Sequence, residues 1–599
     1  MPEIYSILQH SIRSKKNFPK WAFRSAKNFK LGNKTLSKDK VLSCAVLPGK
    51  YQTGDHYDCS GLHSSCVLSY GKTSKNAIKL KRHVIFPLIK LETESPTSNF
   101  SYSFKDSINM YLEDTKIVNE SPVEIKIKGT LTIISQFMND GARIIRTFSP
   151  SPNYPALIEK IEVVNRSKDT AMFSADEKKR SDKFIKSSKL TDKSVSICSR
   201  LTDANGDFRS NTKVSVKKKL VPNASAVCYV VHFATKKDSV INFNAEREMR
   251  ERIKLTDQMF KSVVLYSDDV AVDSFFSHCL LHGCENIFNT KNGLLHFSGA
   301  GFNYNSISAI EQCGIVNPIF PLIDYQTGIK QAINSYKYFG KNLMDNDSLP
   351  DIIYGNNLTP ALLNIQGSLQ AFASGLARFL LTYGSKEVAE EFLPILSKAA
   401  TIISQYISSQ NFDDHAITDK NTLLDAYDAL IHIYYLKNSL GIINDIETIP
   451  SINTLLKGFL DLKQLHSKAN NNSDFKLLQN MFVSDTLIEY DDLVKYVKHQ
   501  LFESNNIYPE FVYTNKQTSS ASDAMAFVKT ILDGMFGLDP ISFSVLRVNP
   551  KLKGKLIGLK YAQTLFEVDN TDGLKIKISA KSYPSDGKTD FDFNLLTWK

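Results

Sequence analysis

The chain has 599 residues, which corresponds to about three to five domains of ordinary size or to two large ones. Apolar residues make up 42% and charged residues 23% of the chain, a globular composition that excludes a disordered or fibrous protein. The formal net charge is +11, and no apolar run reaches the ~18 residues that a membrane-spanning helix needs.

The N-terminal segment is strongly basic. Ten Lys or Arg residues and one acid, Asp39, lie between Arg13 and Lys40. Such a stretch can bind nucleic acid or an anionic surface, and it is also typical of a solvated basic flank. Because the chain contains no recognisable nucleic-acid-binding module, we expect no nucleic-acid partner and no membrane partner.

Two further features bear on the cellular compartment. The first residues, MPEIYSILQHSIRSKK, lack the apolar stretch of a secretory signal. We therefore expect a cytoplasmic protein, or a periplasmic or secreted one if a signal has been removed. The eight cysteines are scattered and form no CxxC motif, which favours reduced, buried thiols over a disulfide framework.

The first part of the chain has the pattern of β-strands. Between about residues 79 and 235, short runs rich in Val, Ile, Thr and aromatic residues are separated by turn residues such as Asn205–Gly206. Val123, Ile125 and Ile127 alternate with charged residues, which is the period of a half-buried strand. Many strands without long helices between them predict an antiparallel β-sandwich, assigned to residues 1–244.

After Asn244 the hydrophobic period changes from two to 3.6 residues. We predict a linker helix over 245–267, followed by about ten helices in a domain over 268–538. One helix is predicted to begin at the Ser385–Lys386 turn. Strand patterns return after Pro540 and predict a small β-piece over 539–599. One predicted helical stripe consists of Val272, Phe275, Phe276, Cys279, Leu280, Ile287 and Phe288.

This order of parts is uncommon, and four segments strengthen its interpretation. They read VLPGKYQTGDHYDCSGLHSS, RTFSPSPNYPALIEKIEVVNRS, NGLLHFSGAGFNYNSISAIEQCGIVNPIFPLIDY and ILDGMFGLDPISFSVLRVNPKL. The chain resembles the six-hairpin glycosidases, closest to bacterial α-L-rhamnosidase-like and α-L-fucosidase-like proteins. The resemblance spans nearly the whole chain and implies an (α/α)6-type barrel behind the sandwich. The helix count is about two short of twelve, so we expect either a trimmed barrel or short helices that the hydrophobic period does not reveal.

Glycoside hydrolysis needs two carboxyl groups that flank the scissile bond. Glu311 is the leading candidate for the general acid. Its neighbours are apolar, and a carboxyl in such surroundings is either paired or tuned for proton transfer. The preceding SGAGFNYN stretch is typical of a loop that approaches a ligand closely. The resemblance also implies an acid of the barrel mouth here. The alternative is a structural acid that caps or bridges helices.

The second carboxylate is expected late in the chain. Asp523 begins an apolar helix, and Glu510 lies between Pro509 and Phe511. The alternatives are an N-cap or first-turn acid for Asp523 and a solvated loop acid for Glu510. The resemblance further implies a Trp and a second acid near Glu311, but the chain has Ser308 and Gly314 there.

A sugar ligand requires aromatic and polar neighbours. With no Trp in this region, we expect stacking by Tyr304 or Tyr325. Asp324 and Asp351 lie in connections that can line the same mouth, and the resemblance extends this to His56 in a sandwich loop. These residues are the predicted substrate-binding set.

The segment HCLLHGCE invites a test for zinc. His278 and His282 are four residues apart, with Cys279 and Cys284 nearby. However, no HExxH motif and no matching second cluster is present, so we expect core residues and no bound metal. No phosphate-binding glycine motif occurs either, so no cofactor is expected.

Two functions fit these observations. The first is a glycoside hydrolase that cleaves a glycosidic bond by carboxylate acid/base catalysis, with an oligosaccharide or glycoconjugate substrate. The resemblance suggests a deoxy-hexoside. The second is a non-catalytic carbohydrate-binding or scaffold protein on the same fold, which the missing Trp and second acid favour.

Overall fold

The structure is a computed structural model. It describes residues 34–36, 39–46, 53–73, 75–89, 100–138, 141–178, 183–185, 194–236, 239–299, 306–354, 358–362, 367–409, 420–442, 451–467, 493–494, 497, 501, 521–578, 581–584 and 589–597.

The N-terminal part is built from strands. Strands β1–β19 are Lys34–Leu36, Leu42–Ala45, Thr53–Ser60, Ser65–Lys72, Ile78–Phe86, Phe100–Phe104, Ile108–Leu112, Thr115–Lys116, Ser121–Ile127, Leu131–Phe137, Ala142–Pro150, Ala156–Asn165, Ala171–Glu177, Lys183–Ile185, Val195–Thr202, Asp207–Arg209, Ser215–Leu220, Ser225–Lys236 and Asn242–Asn244. A nine-stranded sheet has the order β1-β2-β9-β10-β11-β12-β18-β15-β14. Two four-stranded sheets, β17-β13-β7-β8 and β3-β4-β5-β6, accompany it.

The sheets are layered as their hydrophobic alternation requires. Met110, Phe173 and Leu220 from the sheet β17-β13-β7-β8 share one buried cluster with Ile144 and Val230 of the nine-stranded sheet. The strand predicted from Val123, Ile125 and Ile127 is β9, in which Ile125 and Ile127 are buried. The predicted antiparallel β-structure is therefore confirmed for this part of the chain.

Helices follow from Ala245. The helices are α1 Ala245–Ser262, α2 Val270–Glu285, α3 Ile319–Leu322, α4 Gln326–Asn346, α5 Ser368–Tyr383, α6 Lys386–Ser408, α7 Lys420–Ser439, α8 Ile452–Ser467, α9 Ala521–Lys529 and α10 Phe593–Thr597, with π-helical segments π1 Ala309–Val316 and π2 Thr530–Met535. Asn244 caps α1 by accepting a hydrogen bond from the Arg247 backbone N–H, and Ser385 caps α6 in the same way through Val388.

Short strands interrupt and follow the helices. They are β20 Val264–Tyr266, β21 Ile287–Thr290, β22 Gly293–His296, β23 Ser306–Ser308, β24 Ile352–Tyr354, β25 Thr359–Ala361, β26 Leu538–Pro540, β27 Val545–Val548, β28 Lys555–Tyr561, β29 Thr564–Asp569, β30 Lys575–Ile578, β31 Lys581–Pro584 and β32 Asp590–Asp592. The linker helix ends at Ser262, before the predicted limit at 267, and β20 then pairs with β28. Every strand pair among the described residues is antiparallel.

One helical prediction was wrong. Ile287 and Phe288 were placed on the stripe that begins at Val272, but α2 ends at Glu285 and both residues lie in β21. Their side chains are buried, as the stripe required. An apolar pair beyond a helix end continues the helical pattern by chance, and periodicity alone cannot separate the two cases.

A buried arginine joins the strands to the helices. Arg252 on α1 donates to the Gly129 carbonyl at 2.9 Å and to the Ser60 carbonyl at 3.0 Å, and it pairs with Glu285 on α2. His282 in turn lies 3.1 Å from Glu285. Because these groups are almost fully buried, the pairing compensates charges that would otherwise be costly to bury.

Candidate functional site at the start of four helical segments

A small sheet sets the position of Glu311. Strand β23 pairs with β24 and runs directly into π1, which carries Glu311 in its first turn. Asp351 lies beside this junction, where its carbonyl accepts from Ala309 N–H at 2.8 Å and its own N–H donates to Ala361 at 3.0 Å. Since α5 begins seven residues after Ala361, π1 and α5 both start from this sheet.

Ser298 connects Glu311 to a third helix. Its hydroxyl donates to Glu311 Oε2 at 2.5 Å, and its carbonyl accepts from Ala521 N–H, the first residue of α9, at 2.9 Å. Asp523 is therefore two residues after Ala521, which is hydrogen-bonded to the serine that binds Glu311. The structure brings together Glu311 and the helix start that carries Asp523, and both side chains are partly exposed.

A fourth helix starts beside α5. Gly367, which precedes α5, lies so close to α7 that a β-carbon built on it would be 3.9 Å from Thr422 Oγ1 and from Asp425 Oδ2. Asp425 is exposed. We call the region formed by the starts of π1, α5, α7 and α9, together with Ser298, the mouth.

Hydrogen bonds between buried side-chain amides stabilise the segment that carries Glu311. Gln312 donates to Asn317 Oδ1 at 2.5 Å, and Gln331 on α4 donates to the same oxygen at 2.8 Å. His296 contacts Gln312 at 2.9 Å, and burial lowers the pKa of His296 to about 4. These contacts fix the residue next to Glu311, so the carboxyl projects from a rigid support.

The hairpin β3–β4 contacts the segment that follows α2. Between β3 and β4, the Leu62 carbonyl accepts from Asn289 N–H at 2.9 Å, and Ser60 donates to Asn286 Oδ1 at 2.9 Å. Asn286 packs closely against Gly299: a β-carbon added to Gly299 would be 3.0 Å from Asn286 Cγ. Gly299 has φ +74°, which favours glycine, and it directly follows Ser298.

This hairpin corrects the prediction for His56. The residue is on β3 opposite Ser69, in a strand and not in a loop, four residues before the turn. His63 is in the turn instead, where burial lowers its pKa.

The other predicted site residues are less close to Glu311 or are not described. Asp324 and Tyr325 lie between α3 and α4, and the Asp324 carboxylate accepts from Lys560 at 2.9 Å and from Gln326 at 2.7 Å. Burial raises the pKa of Tyr325. Tyr304 and Glu510 lie outside the described residues. Asp351 is buried beside the mouth.

The mouth combines carboxyl and hydroxyl groups. No Lys, Arg or His among the described residues forms an ion pair with Glu311. The hydroxyls of Ser368 and Ser522, at the starts of α5 and α9, are buried and have no hydrogen-bond partner within the described part of the chain. Sequence reasoning missed Ser298, Ser368 and Ser522, because a serine carries no local signal of the helix end it will meet.

The histidines and cysteines of α2 are core residues. His278 lies 3.0 Å from the Lys40 carbonyl, and His282 pairs with Glu285. Burial raises the pKa of the Cys279 and Cys284 thiols, which disfavours the thiolate that a metal would need. Within the described residues, no group of three potential ligands has metal-binding geometry.

At the opposite end of the same helices, charges form a closed network. Arg378 on α5 pairs with Asp533 at 2.9 Å and with Asp539 at 3.0 Å, and Lys529 pairs with Asp533 at 2.6 Å. His432 on α7 lies 2.9 Å from Asp539. We call these five residues, with Asp428, the closed network.

The carboxylates around His432 favour its cationic form. Its Nδ1 lies 2.8 Å from the Asp428 carbonyl, and its Nε2 lies 2.9 Å from Asp539 Oδ1 and 3.0 Å from the Arg378 guanidinium. Burial by itself would lower the pKa of His432, but the carboxylates of Asp428 and Asp539 outweigh it and raise the pKa to about 9. When His432 is protonated, the network contains three cations and three carboxylates, namely Arg378, Lys529 and His432 with Asp428, Asp533 and Asp539.

Two further observations describe the surface. Among the described helices, none is both long and apolar enough to cross a membrane. Two small cavities are lined by described residues, one in the sandwich near Tyr70 and one near Arg378 and Asp533. Glu311 lines neither of them.

Comparison with known proteins gives no family assignment. No protein-family model and no curated protein matches the sequence. A bacterial glucoamylase complexed with acarbose aligns with a TM-score of 0.35 and 10% identity, over 73% of this chain and 70% of that one. A sialidase aligns with a TM-score of 0.36 and 11% identity, over 90% of this chain and 65%, just under two thirds, of that one. Similarity this low supports no conclusion about activity, and the rhamnosidase-like and fucosidase-like resemblance stays a prediction.

Proposed function

We propose that this protein is a glycoside hydrolase-like protein whose chemistry takes place at the mouth. The observation that carries the proposal is the meeting of Glu311 and the start of α9 at Ser298. Helices that start together leave unpaired backbone N–H groups beside the carboxyl groups, and a saccharide hydroxyl can accept from these donors.

In this proposal Glu311 is the general acid. A protonated Glu311 transfers its proton to the leaving glycosidic oxygen, and Ser298 orients the carboxyl. A serine hydroxyl suits this task in both protonation states, because it can donate to the carboxylate and accept from the acid. General acid–base assistance of this kind contributes about 10²–10⁴-fold in rate.

Asp523 is the proposed base that activates water. Inverting glycosidases hold their two carboxyl groups roughly 6.5–9.5 Å apart to leave room for that water. Asp523 and Glu311 belong to neighbouring helix starts, which suits such a separation. The alternative role for Asp523 is a first-turn acid that stabilises the α9 dipole. We propose a deoxy-hexoside as the substrate on the sequence resemblance alone.

A non-catalytic carbohydrate-binding function is the second candidate. The resemblance implies a second acid where the chain has Gly314, and a β-carbon at this glycine would be 3.0 Å from Ala371 Cβ on α5. Gly314 therefore allows π1 to pack closely against α5, and it places no carboxylate in the mouth. In that case the mouth binds a saccharide without cleaving it.

An aryl-glycoside panel tests the proposal. We expect the wild type to hydrolyse at least one member, with rhamnosides and fucosides first. Glu311→Gln should then lower kcat by about 10²–10⁴-fold with a much smaller change in KM, because the shape stays and the transferable proton is lost. Glu390→Gln, on the exposed side of α6, is the matched control and should keep full activity.

Three results separate the alternatives. Full activity of Glu311→Gln would exclude the acid role. A wild type that is inactive on every glycoside but binds oligosaccharide, with weaker binding in Glu311→Gln, would support the second candidate. No activity and no saccharide binding at all would contradict both.

A further inference from the structure

A second feature lies on the outer face of the sandwich, far in sequence from the mouth. In the sheet β17-β13-β7-β8, one face packs into the protein core through Met110, Leu112, Phe173 and Ala175. The opposite face is open to solvent. Because side chains alternate along a strand, Tyr111 and Ser174 project from this open face.

The strand register aligns four side chains across the open face. Lys116 lies opposite Tyr111, Tyr111 opposite Ser174, and Ser174 opposite Lys217. Residues directly opposite each other on antiparallel strands share a face. With strands about 4.8 Å apart, the row Lys116–Tyr111–Ser174–Lys217 spans about 14 Å. We call this row and its neighbour Lys219 the lysine–tyrosine face.

The face carries unbalanced positive charge at its centre. Lys116, Lys217 and Lys219 are exposed, and none of them forms an ion pair within the described part of the chain. The acids of the face occupy the flanking rows. Asp176 accepts from Asn109 at 3.4 Å, and Glu113 accepts from Met172 N–H at 2.6 Å. The central row therefore has two cations around one partly exposed aromatic ring.

We propose that the lysine–tyrosine face binds an acidic polysaccharide. The Tyr111 ring stacks on the apolar face of one sugar, and Lys116 and Lys217 bind the carboxylates of the sugars on either side. Ser174 supplies a hydroxyl between the ring and Lys217. Charge complementarity selects this occupant, since the row offers donors and cations but no unpaired carboxylate. The proposal does not depend on the role of Glu311.

A structural alternative exists for the lysines. Because β17 is an edge strand, its lysines can protect the sheet edge against pairing with another chain. That role does not depend on which face a lysine points from. Lys218 lies between Lys217 and Lys219 on β17 but is opposite the inward-facing Phe173, so it tests this difference directly.

The test is affinity electrophoresis of the full chain in gels containing polygalacturonate, with fully methyl-esterified polygalacturonate as the uncharged control. We expect retardation only with the acidic polymer. The retardation should weaken when the salt concentration rises from 0.01 M to 0.15 M, because the Debye length falls from about 30 Å to about 8 Å.

Tyr111→Ser and Lys217→Ser should each weaken the apparent affinity roughly tenfold, the effect of about 1.4 kcal/mol. Lys218→Ser should change it less than about twofold, and thermal midpoints monitor the folding of each variant.

Several outcomes would overturn the proposal. Equal losses in Lys217→Ser and Lys218→Ser would assign the lysines to edge protection or to general charge. Equal binding of the esterified polymer would remove the charge argument. Tighter binding of oligo-thymidylate than of polygalacturonate would indicate a nucleic-acid surface. If Tyr111→Ser does not fold, Tyr111→Trp replaces it, and a Trp variant that binds more weakly than the wild type would contradict stacking. Retained binding in Glu311→Gln is expected, which separates this proposal from the mouth.

Discussion

Acidic side chains have opposite roles at the two ends of the helices. At the closed network, Arg378 pairs with Asp533 and Asp539, and the carboxylates of Asp428 and Asp539 favour the cationic form of His432. At the mouth, Glu311 has a serine hydroxyl as its partner among the described residues and keeps partial exposure. Arg378, His432 and Lys529 of the closed network lie on α5, α7 and α9, whose starts form the mouth together with π1, which carries Glu311.

The difference separates structural acids from acids that are available to a ligand. The carboxylates of Asp533 and Asp539 are partly exposed but already paired with Arg378, and a ligand would have to displace an ion pair to bind them. A carboxyl at a helix start, bound by one hydroxyl, still has acceptor positions free for a substrate. We therefore infer chemistry at the mouth and stability at the closed network.

Removing the central cation should give the largest effect on stability. Arg378→Met leaves Asp533 and Asp539 without their main partner, and we expect a loss of about 3 kcal/mol. For a domain of this size, that corresponds to a fall in Tm of about 6–12 °C by calorimetry. Lys337→Met, which breaks the exposed ion pair with Glu391, is the matched control and should shift Tm several-fold less. Equal shifts in the two variants would show that the network is not structurally important.

The pH dependence of stability should report His432. Its pKa is raised from 6.5 to about 9 in the folded state, so its stabilising contribution is complete below pH ~6.5 and is lost as the pH rises through about 9. The full contribution is up to about 3 kcal/mol. We expect Tm to fall between pH 6.5 and pH 9.5 in the wild type, and the His432→Gln variant to lack most of this fall. A variant with the same pH profile as the wild type would contradict the assignment of the cation.

Local patterns predicted the elements better than they predicted the site. The alternation at Ile125 and Ile127 and the helix start at Ser385–Lys386 depend on neighbours in sequence, and both were confirmed. Glu311 could be selected because an acid among apolar residues is unusual within a short segment. The link through Ser298 to Ala521 spans more than two hundred residues and leaves no trace in either segment.

The closed network was missed for the same physical reason. Arg378, His432 and Asp539 come from three distant segments, and each of them resembles an ordinary exposed charge in its own helix or strand. The extension of the α2 stripe to Ile287 failed because a strand follows the helix without a break in hydrophobicity. Tertiary contacts determine which distant charges pair and where α2 ends, and the hydrophobic period of a single segment carries no information on such contacts.

The central claim is that the mouth holds the saccharide, and a crystal structure of Glu311→Gln soaked with an oligosaccharide tests it most directly. The variant is chosen because it preserves the shape of the mouth and prevents turnover. We predict density for a sugar within hydrogen-bond distance of position 311 and beside the first turn of α9. Saccharide density found only elsewhere, or position 311 directed away from every bound sugar, would contradict the account.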